Sequence, residues 1–195
     1  ILHASPRLAL ELLEKNKDKD LVLEPKFPVK AVPNTTANSP DCVSNSSTAK
    51  NGTPLTSKRF LKCSSFVEAN KRYEEMITED LARLSKSIAE STKCAHPKHI
   101  PLPQLYKPGK SKTKYGFKSD EASALTPNPV NGLVLDNTMI IPGQANSIFE
   151  AEIKSQLGSV KVIPEFVDNR AVHFASGEVH CNTNAFRTCI HTPAK

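Results

Sequence analysis

The stretch between residues 126 and 163 constrains the fold most. Two apolar runs, 130–135 and 138–141, are separated by Asp136 and Asn137 alone, and a polar pair between apolar runs predicts a tight hairpin. Ser147-Ile148-Phe149-Glu150 follows, a capping-box sequence with a hydroxyl three residues ahead of a carboxylate. It opens a helix on which Phe149, Ile153 and Leu157 share one face, with Gly158 as its stop. Residues 160–163 supply a third apolar run. Strand, strand, helix and strand in that order predict an α/β fold.

The N-terminal residues repeat the theme in shorter form. Residues 1–3 read as a strand already in progress, and the first residue is Ile1, so the chain is expected to be cut from a longer protein. Ser5-Pro6 places a capping hydroxyl before a proline at the first helical position. Leu8, Leu12 and Leu13 then form a helical face, Lys15-Asn16-Lys17 ends it, and residues 21–23 read as a second strand.

Between these two units the character changes twice. Residues 30–58 are rich in Ser, Thr and Asn with scattered prolines and no apolar period. Such a stretch cannot bury enough surface to offset its ordering entropy and is expected to be a disordered insertion. Its sequons at Asn34, Asn45 and Asn51 could accept glycans, but chance in a biased tract is the favoured reading. Ser65-Phe66-Val67-Glu68 is another capping-box sequence. Phe66, Tyr73, Met76, Ile77, Leu81, Leu84 and Ile88 recur after it at helical spacing, predicting one long amphipathic helix to about Ala89, with Tyr73 and Met76 as core contacts. Prolines keep residues 100–106 extended. The expected organisation is thus 1–29, a strand–helix–strand end of a module; 30–58, the insertion; 59–125, the long helix and a basic extended linker; and 126–195, the ββαβ unit and a last apolar run.

A formal charge of +6 and seven lysines between Lys93 and Lys118 raise a nucleic-acid reading. The run holds no arginine, and a solvated basic linker is the simpler account, with no nucleic-acid partner expected. No apolar run approaches the roughly 20 residues of a membrane span, so no membrane partner is expected either. Five cysteines, Cys42, Cys63, Cys94, Cys181 and Cys189, show no paired spacing. They predict free thiols and a cytoplasmic setting.

The last apolar run starts near Val172 and ends on Ser176-Gly177-Glu178-Val179-His180-Cys181-Asn182-Thr183-Asn184. Read as a strand, it points His180 and Cys181 to opposite faces, so His180 is not a direct base for the thiol. His173 shares the strand parity of Cys181 but lies too far along it to touch the sulfur. Zinc ligation by His173, His180, Cys181, Cys189 and His191 fits no closed-site spacing. On residue type alone Cys181 is a buried core cysteine or a nucleophile.

Gly-Glu-Val-His-Cys followed by Thr-Asn resembles the nucleophile segment of the protein-arginine deiminases, calcium-dependent enzymes that convert peptidyl-arginine to peptidyl-citrulline. Asn182 stands where that family has glycine, and asparagine tolerates positive φ. "LHASPRLALELLEK", "SSFVEANKRYEEMITEDL", "IPLPQLYK" and "TPNPVNGLVL" resemble further segments of the family in the same order. The resemblance implies an incomplete pentein-type α/β propeller, about the last two of five ββαβ modules. It implies Cys181 as the catalytic nucleophile, Asn131 as a residue near the substrate pocket (a strand-end cap being the equal alternative), and calcium as the cofactor. It implies an arginine-containing protein or peptide as the substrate.

The family's acid/base histidine, guanidinium-binding aspartates and calcium ligands have no match in this chain, which contains no His-x-Asp. An arginine two residues before the family's motif glycine is replaced by Ala175. The expectation is therefore the C-terminal part of a deiminase, inactive alone. The alternatives are a degenerate pentein fragment acting as an interaction module and, less favoured, a small-molecule guanidine hydrolase.

Overall fold

The structure, a computed structural model, describes residues 1–23, 56–92, 96–108, 111–112, 118–119, 122–174 and 177–183. The three sequons, nearly all of the insertion, and Cys42, Cys94, Ala175, Cys189 and His191 lie outside the described residues, as does part of the basic run.

Strand β1 (Leu2–Ser5) runs straight into helix α1 (Pro6–Lys15) through the predicted cap: the Leu8 N–H donates to Ser5 Oγ at 3.2 Å. The Ser5 hydroxyl itself donates to Glu74 (3.1 Å), fixing the helix start to the long helix behind it. The buried face of α1 is Pro6, Ala9, Leu10 and Leu13, turned from the predicted one, with Leu8 and Leu12 only half-buried. The cause is its neighbours. Leu23, Phe60, Leu105, Leu125 and Phe149 converge on Ala9, Leu10 and Leu13 to make one apolar cluster.

Residues 21–23 do not form a strand; only Val22 bridges, to Thr56. The chain beside them enters helix α2 (Ser57–Leu61) at once, and the buried Ser57 hydroxyl accepts the Leu21 N–H (2.9 Å). Ser57 and Lys58, placed with the insertion by sequence, belong to this helix. The parallel partner of β1 is instead β2 (Ile100–Pro103), in register Leu2 to Ile100.

Helix α3 (Ser64–Ser91) is the long amphipathic helix, but the capping box does not form. The N-cap is Cys63, whose side chain makes no capping bond, and Glu68 pairs with Lys71. The first turns are held most firmly on the body, and farther along Ser85 Oγ meets His99 Nε2 at 2.8 Å. Asn70, fully buried, donates to the Tyr106 carbonyl and accepts its N–H, both at 2.9 Å, on strand β3 (Tyr106–Pro108). Tyr73 meets Tyr106 edge-on. Met76 is 53% exposed, contrary to its expected core role, because the covered stripe of α3 runs through Tyr73, Ile77, Leu81 and Ile88 and leaves Met76 at its edge. Buried Cys63 is disulfide-bonded. That corrects the free-thiol expectation at this position and removes a support for a cytoplasmic setting.

Two small antiparallel pairs follow: β3 with β6 (Ala122–Ala124), and β4 (Ser111–Lys112) with β5 (Lys118–Ser119). The predicted hairpin joins β7 (Leu133–Leu135) to β8 (Thr138–Pro142) through Asp136 at φ 52 and Asn137. Helix α4 (Ser147–Gly158) crosses from β8 to its parallel neighbour β9 (Ile163–Val167). Phe149, Ile153 and Leu157 are all fully buried, as their spacing predicts. The cap sits one residue earlier than expected. Asn146 Oδ1 accepts the Phe149 N–H at 2.9 Å, while Glu150 reaches back to the Gln144 N–H. Past Gly158 the chain makes a further turn with Lys161 at φ 61, so the third strand begins at Ile163 rather than 160. The described sheets are small, and none closes on itself.

Candidate active site

The site lies where the loop between β6 and β7 meets the chain after β9. The loop is anchored from below. Leu105 N–H donates to Thr126 Oγ1 (3.1 Å), buried Gln104 donates to the Thr126 carbonyl (2.8 Å), and Gln144 to the Pro127 carbonyl (3.0 Å). Asn128 Oδ1 accepts the Val130 N–H and its carbonyl accepts the Asn131 N–H, a tight asparagine-capped turn. Gly132 then passes so close to β8 that a Cβ there would sit 2.6 Å from the Ile140 carbonyl oxygen. Glycine is what lets Asn131 stand at the sheet's edge.

On the other side, Asp168 accepts the Arg170 N–H and opens a short helix, α5 (Arg170–Phe174). Gly177 closes back on Val172 (2.9 Å), and His180–Asn182 form a single 3₁₀ turn. The strand expected across 172–181 is absent. Each described backbone bond of this segment is local except one, from the His180 N–H to the Asn131 carbonyl (3.2 Å). The strand-parity arguments about His180 and His173 lose their premise with it.

Cys181 is a free, exposed thiol, not a buried core cysteine. The Asn131 carboxamide faces it, with Nδ2 at 3.5 Å from Sγ and Oδ1 at 3.9 Å. Its nitrogen can donate to a thiolate and its oxygen can accept from a thiol. Hydrogen bonding from the Glu178 backbone, then from the Asn131 side chain, draws the Cys181 thiol below its ordinary value. Partial desolvation and the Glu178 charge oppose this. The His180 ring is exposed, and its backbone, rather than the ring, ties the turn to Asn131.

Beneath the sulfur is a buried polar group that sequence reading passed over. Glu178, 6% exposed, accepts three N–H groups: from Asn128 backbone (3.0 Å), His173 Nδ1 (2.8 Å) and Asn169 Nδ2 (2.8 Å). A carboxylate has no hydrogen to give, so His173 carries its proton on Nδ1. The Glu178 carbonyl accepts the Cys181 N–H at 3.1 Å. One signal for it was on view: a glutamate inside an apolar run, which must be paired if buried.

Asp168 and Arg170 form an exposed bidentate pair beside this group (2.8 and 2.6 Å), and Arg170 holds the Asp168 carboxyl down at about 2. Among the described residues no group of three or more His, Cys, Asp or Glu could hold a metal ion. His173, His180 and Cys181 do not converge as zinc ligands, and the described residues do not fit a calcium ion. No described helix is long and apolar enough to cross a membrane.

The family model for protein-arginine deiminase (PAD) matches residues 1–193. The chain belongs to the protein-arginine deiminase family. A search of curated proteins found no match. Membership over nearly the whole chain gives it a deiminase-related function, in a family of hydrolases that act on peptidyl-arginine.

Proposed function

We propose that Cys181 is the nucleophile of a deiminase site that converts peptidyl-arginine to peptidyl-citrulline and ammonia. The carrying observation is a free, exposed cysteine in the family's own segment whose sulfur is met by a carboxamide and whose thiol is drawn toward ionisation. The thiolate attacks the guanidinium carbon, forming a C–S bond. The adduct collapses with cleavage of a C–N bond, and the departing nitrogen takes up a proton to leave as ammonia. Water then attacks the thiouronium carbon, the C–S bond breaks, and the thiolate returns. Asn131, touching Sγ, is assigned to orienting the sulfur and the substrate beside it.

On this reading the carboxylates that hold the always-charged guanidinium, the acid/base histidine and the calcium ligands come from outside the described residues. The ββαβ unit is one module of a pentein propeller that other sequence completes. The isolated chain is then inactive.

The test uses a haloacetamidine, which carries a guanidinium-like cation, against a neutral haloacetamide. In the complete enzyme the cationic reagent should label Cys181 ahead of every other cysteine, and Cys181→Ser should lower citrulline formation at least about 10³-fold. Calcium-dependent citrulline from the isolated chain would sink the inactive-fragment reading. Labelling that ignores the cation, with normal turnover in the serine variant, would hand the chain to the interaction-module reading.

A further inference from the structure

Glu178 lies in the motif but faces away from the reacting side. It bonds to both halves of the site. Its carboxylate takes N–H groups from three separate stretches, Asn128, Asn169 and His173, while its backbone carbonyl takes the N–H of Cys181. Asn128, in turn, holds Val130 and Asn131 through its side chain and carbonyl. A single buried carboxylate therefore stands between the turn that carries the sulfur and the turn that carries the carboxamide.

The geometry points to Glu178 as a positioning residue: it locks the Asn128–Asn131 turn against the Cys181 turn and so keeps the Asn131 carboxamide on Sγ. His173 and Asn169 hold the carboxylate in place. Without the lock, the Asn131–Sγ contact itself is supported, among the described contacts, by a single backbone bond between the two turns, from His180 to Asn131. One such bond leaves the carboxamide free to swing about it.

The charged and titratable groups on these elements are few. Glu178 and His180 belong to the Cys181 turn, while His173 and the Asp168–Arg170 pair belong to α5 and its start. The loop 128–132 brings none. Glu178 therefore acts on the thiol in two opposed ways, through its own negative charge and through Asn131. Glutamine at 178 removes the charge and keeps an acceptor for Asn128, with Asn169 able to turn its carboxamide to match. Alanine removes both.

Any effect on turnover rests on the deiminase reading, but the reactivity of the thiol does not, so the test reads the thiol. The pH–rate profile of Cys181 alkylation by iodoacetamide, located by mass spectrometry, is measured with and without Asn131→Ala. In the native background that change should slow alkylation near neutral pH about fivefold, the loss of a hydrogen bond to a charged acceptor. It should do the same beside Glu178→Gln. Beside Glu178→Ala it should change the rate no more than about 1.5-fold, because the carboxamide has already left the sulfur.

Should the alanine variant fail to fold, Glu178→Asp serves. It keeps the charge, shortens the reach to Asn128, and should silence Asn131→Ala equally. A fivefold effect that persists beside alanine or aspartate overturns the proposal, as does Asn131→Ala having no effect in the native background. Coupled thiol reactivity in a complete enzyme that makes no citrulline would sink only the deiminase reading. Citrulline formation without the coupling would sink only the positioning role.

Discussion

Helix α4 and the Cys181 turn are held by opposite means. Three apolar side chains, Phe149, Ile153 and Leu157, fasten α4, each filling its own space in a core. One carboxylate fastens the turn, with three donors converging on it. Apolar anchoring degrades in proportion to what is removed, since burial energy follows area. Polar anchoring fails as a unit, because a buried donor left behind goes unpaired. A fold can thus lose much of α4's packing energy with its site geometry intact, yet lose the site to a change that costs less.

Phe149→Ala should have the largest effect on stability, about 3–5 kcal/mol for a fully buried ring in the cluster that also takes up α1. Urea titration would read it, and alkylation of Cys181 below the unfolding transition should stay within about twofold of native. A large change in thiol reactivity there would break the contrast. Glu178→Ala should cost less, about 1–3 kcal/mol, for the one fully buried donor it strands, Asn169, since water can reach the part-buried Asn128 and His173 groups. Yet it should alter the Cys181 pH–rate profile where the phenylalanine change does not.

Smallest is Arg170→Gln at the exposed Asp168 pair. The Asp168 carboxyl lies at about 2 in the fold against 3.8 ordinarily. A depressed carboxyl contributes stability above its unfolded value and loses that contribution as pH falls from there toward the folded one. Arg170→Gln should return Asp168 to the ordinary carboxylate range in an NMR titration and remove that acid-side slope. An unmoved Asp168 would show that the pair does not form in solution.

The same contrast decides what could be read from sequence. Periodic and local features were legible: Ser5-Pro6 at the start of α1, the Asp136–Asn137 hairpin, and the α4 face of Phe149, Ile153 and Leu157. Each depends on residues a few positions apart. The Cys181 turn was not legible as a turn. Val172 and Val179 flank a stretch that looks strand-like, and whether such a run pairs with a neighbour is set elsewhere in the chain. Glu178 was quoted as part of a motif, but its partner Asn128 is 50 residues away. No local period encodes that convergence. Met76 failed for a related reason: spacing says which face of α3 is apolar, not how wide a stripe of that face its partners cover.

The pairing of β1 with β2 has a consequence in time. The N-terminal nitrogen of Ile1 meets the Lys98 carbonyl 97 residues on, and the parallel ladder starts just beyond, at Leu2 and Ile100. The β7–β8 hairpin closes across two residues and can form in about 1–10 μs. At synthesis rates of roughly 5–20 residues per second, β1 waits about 5–20 s for its partner to be made. Throughout that interval the cover over Leu10 and Leu13 is incomplete, since Leu23 and Phe60 are made within it but Leu105, Leu125 and Phe149 do not yet exist. Among the described elements, β1 and α1 are made before the partners that secure them, and the apolar face of α1 stays open to a nascent-chain chaperone for that interval.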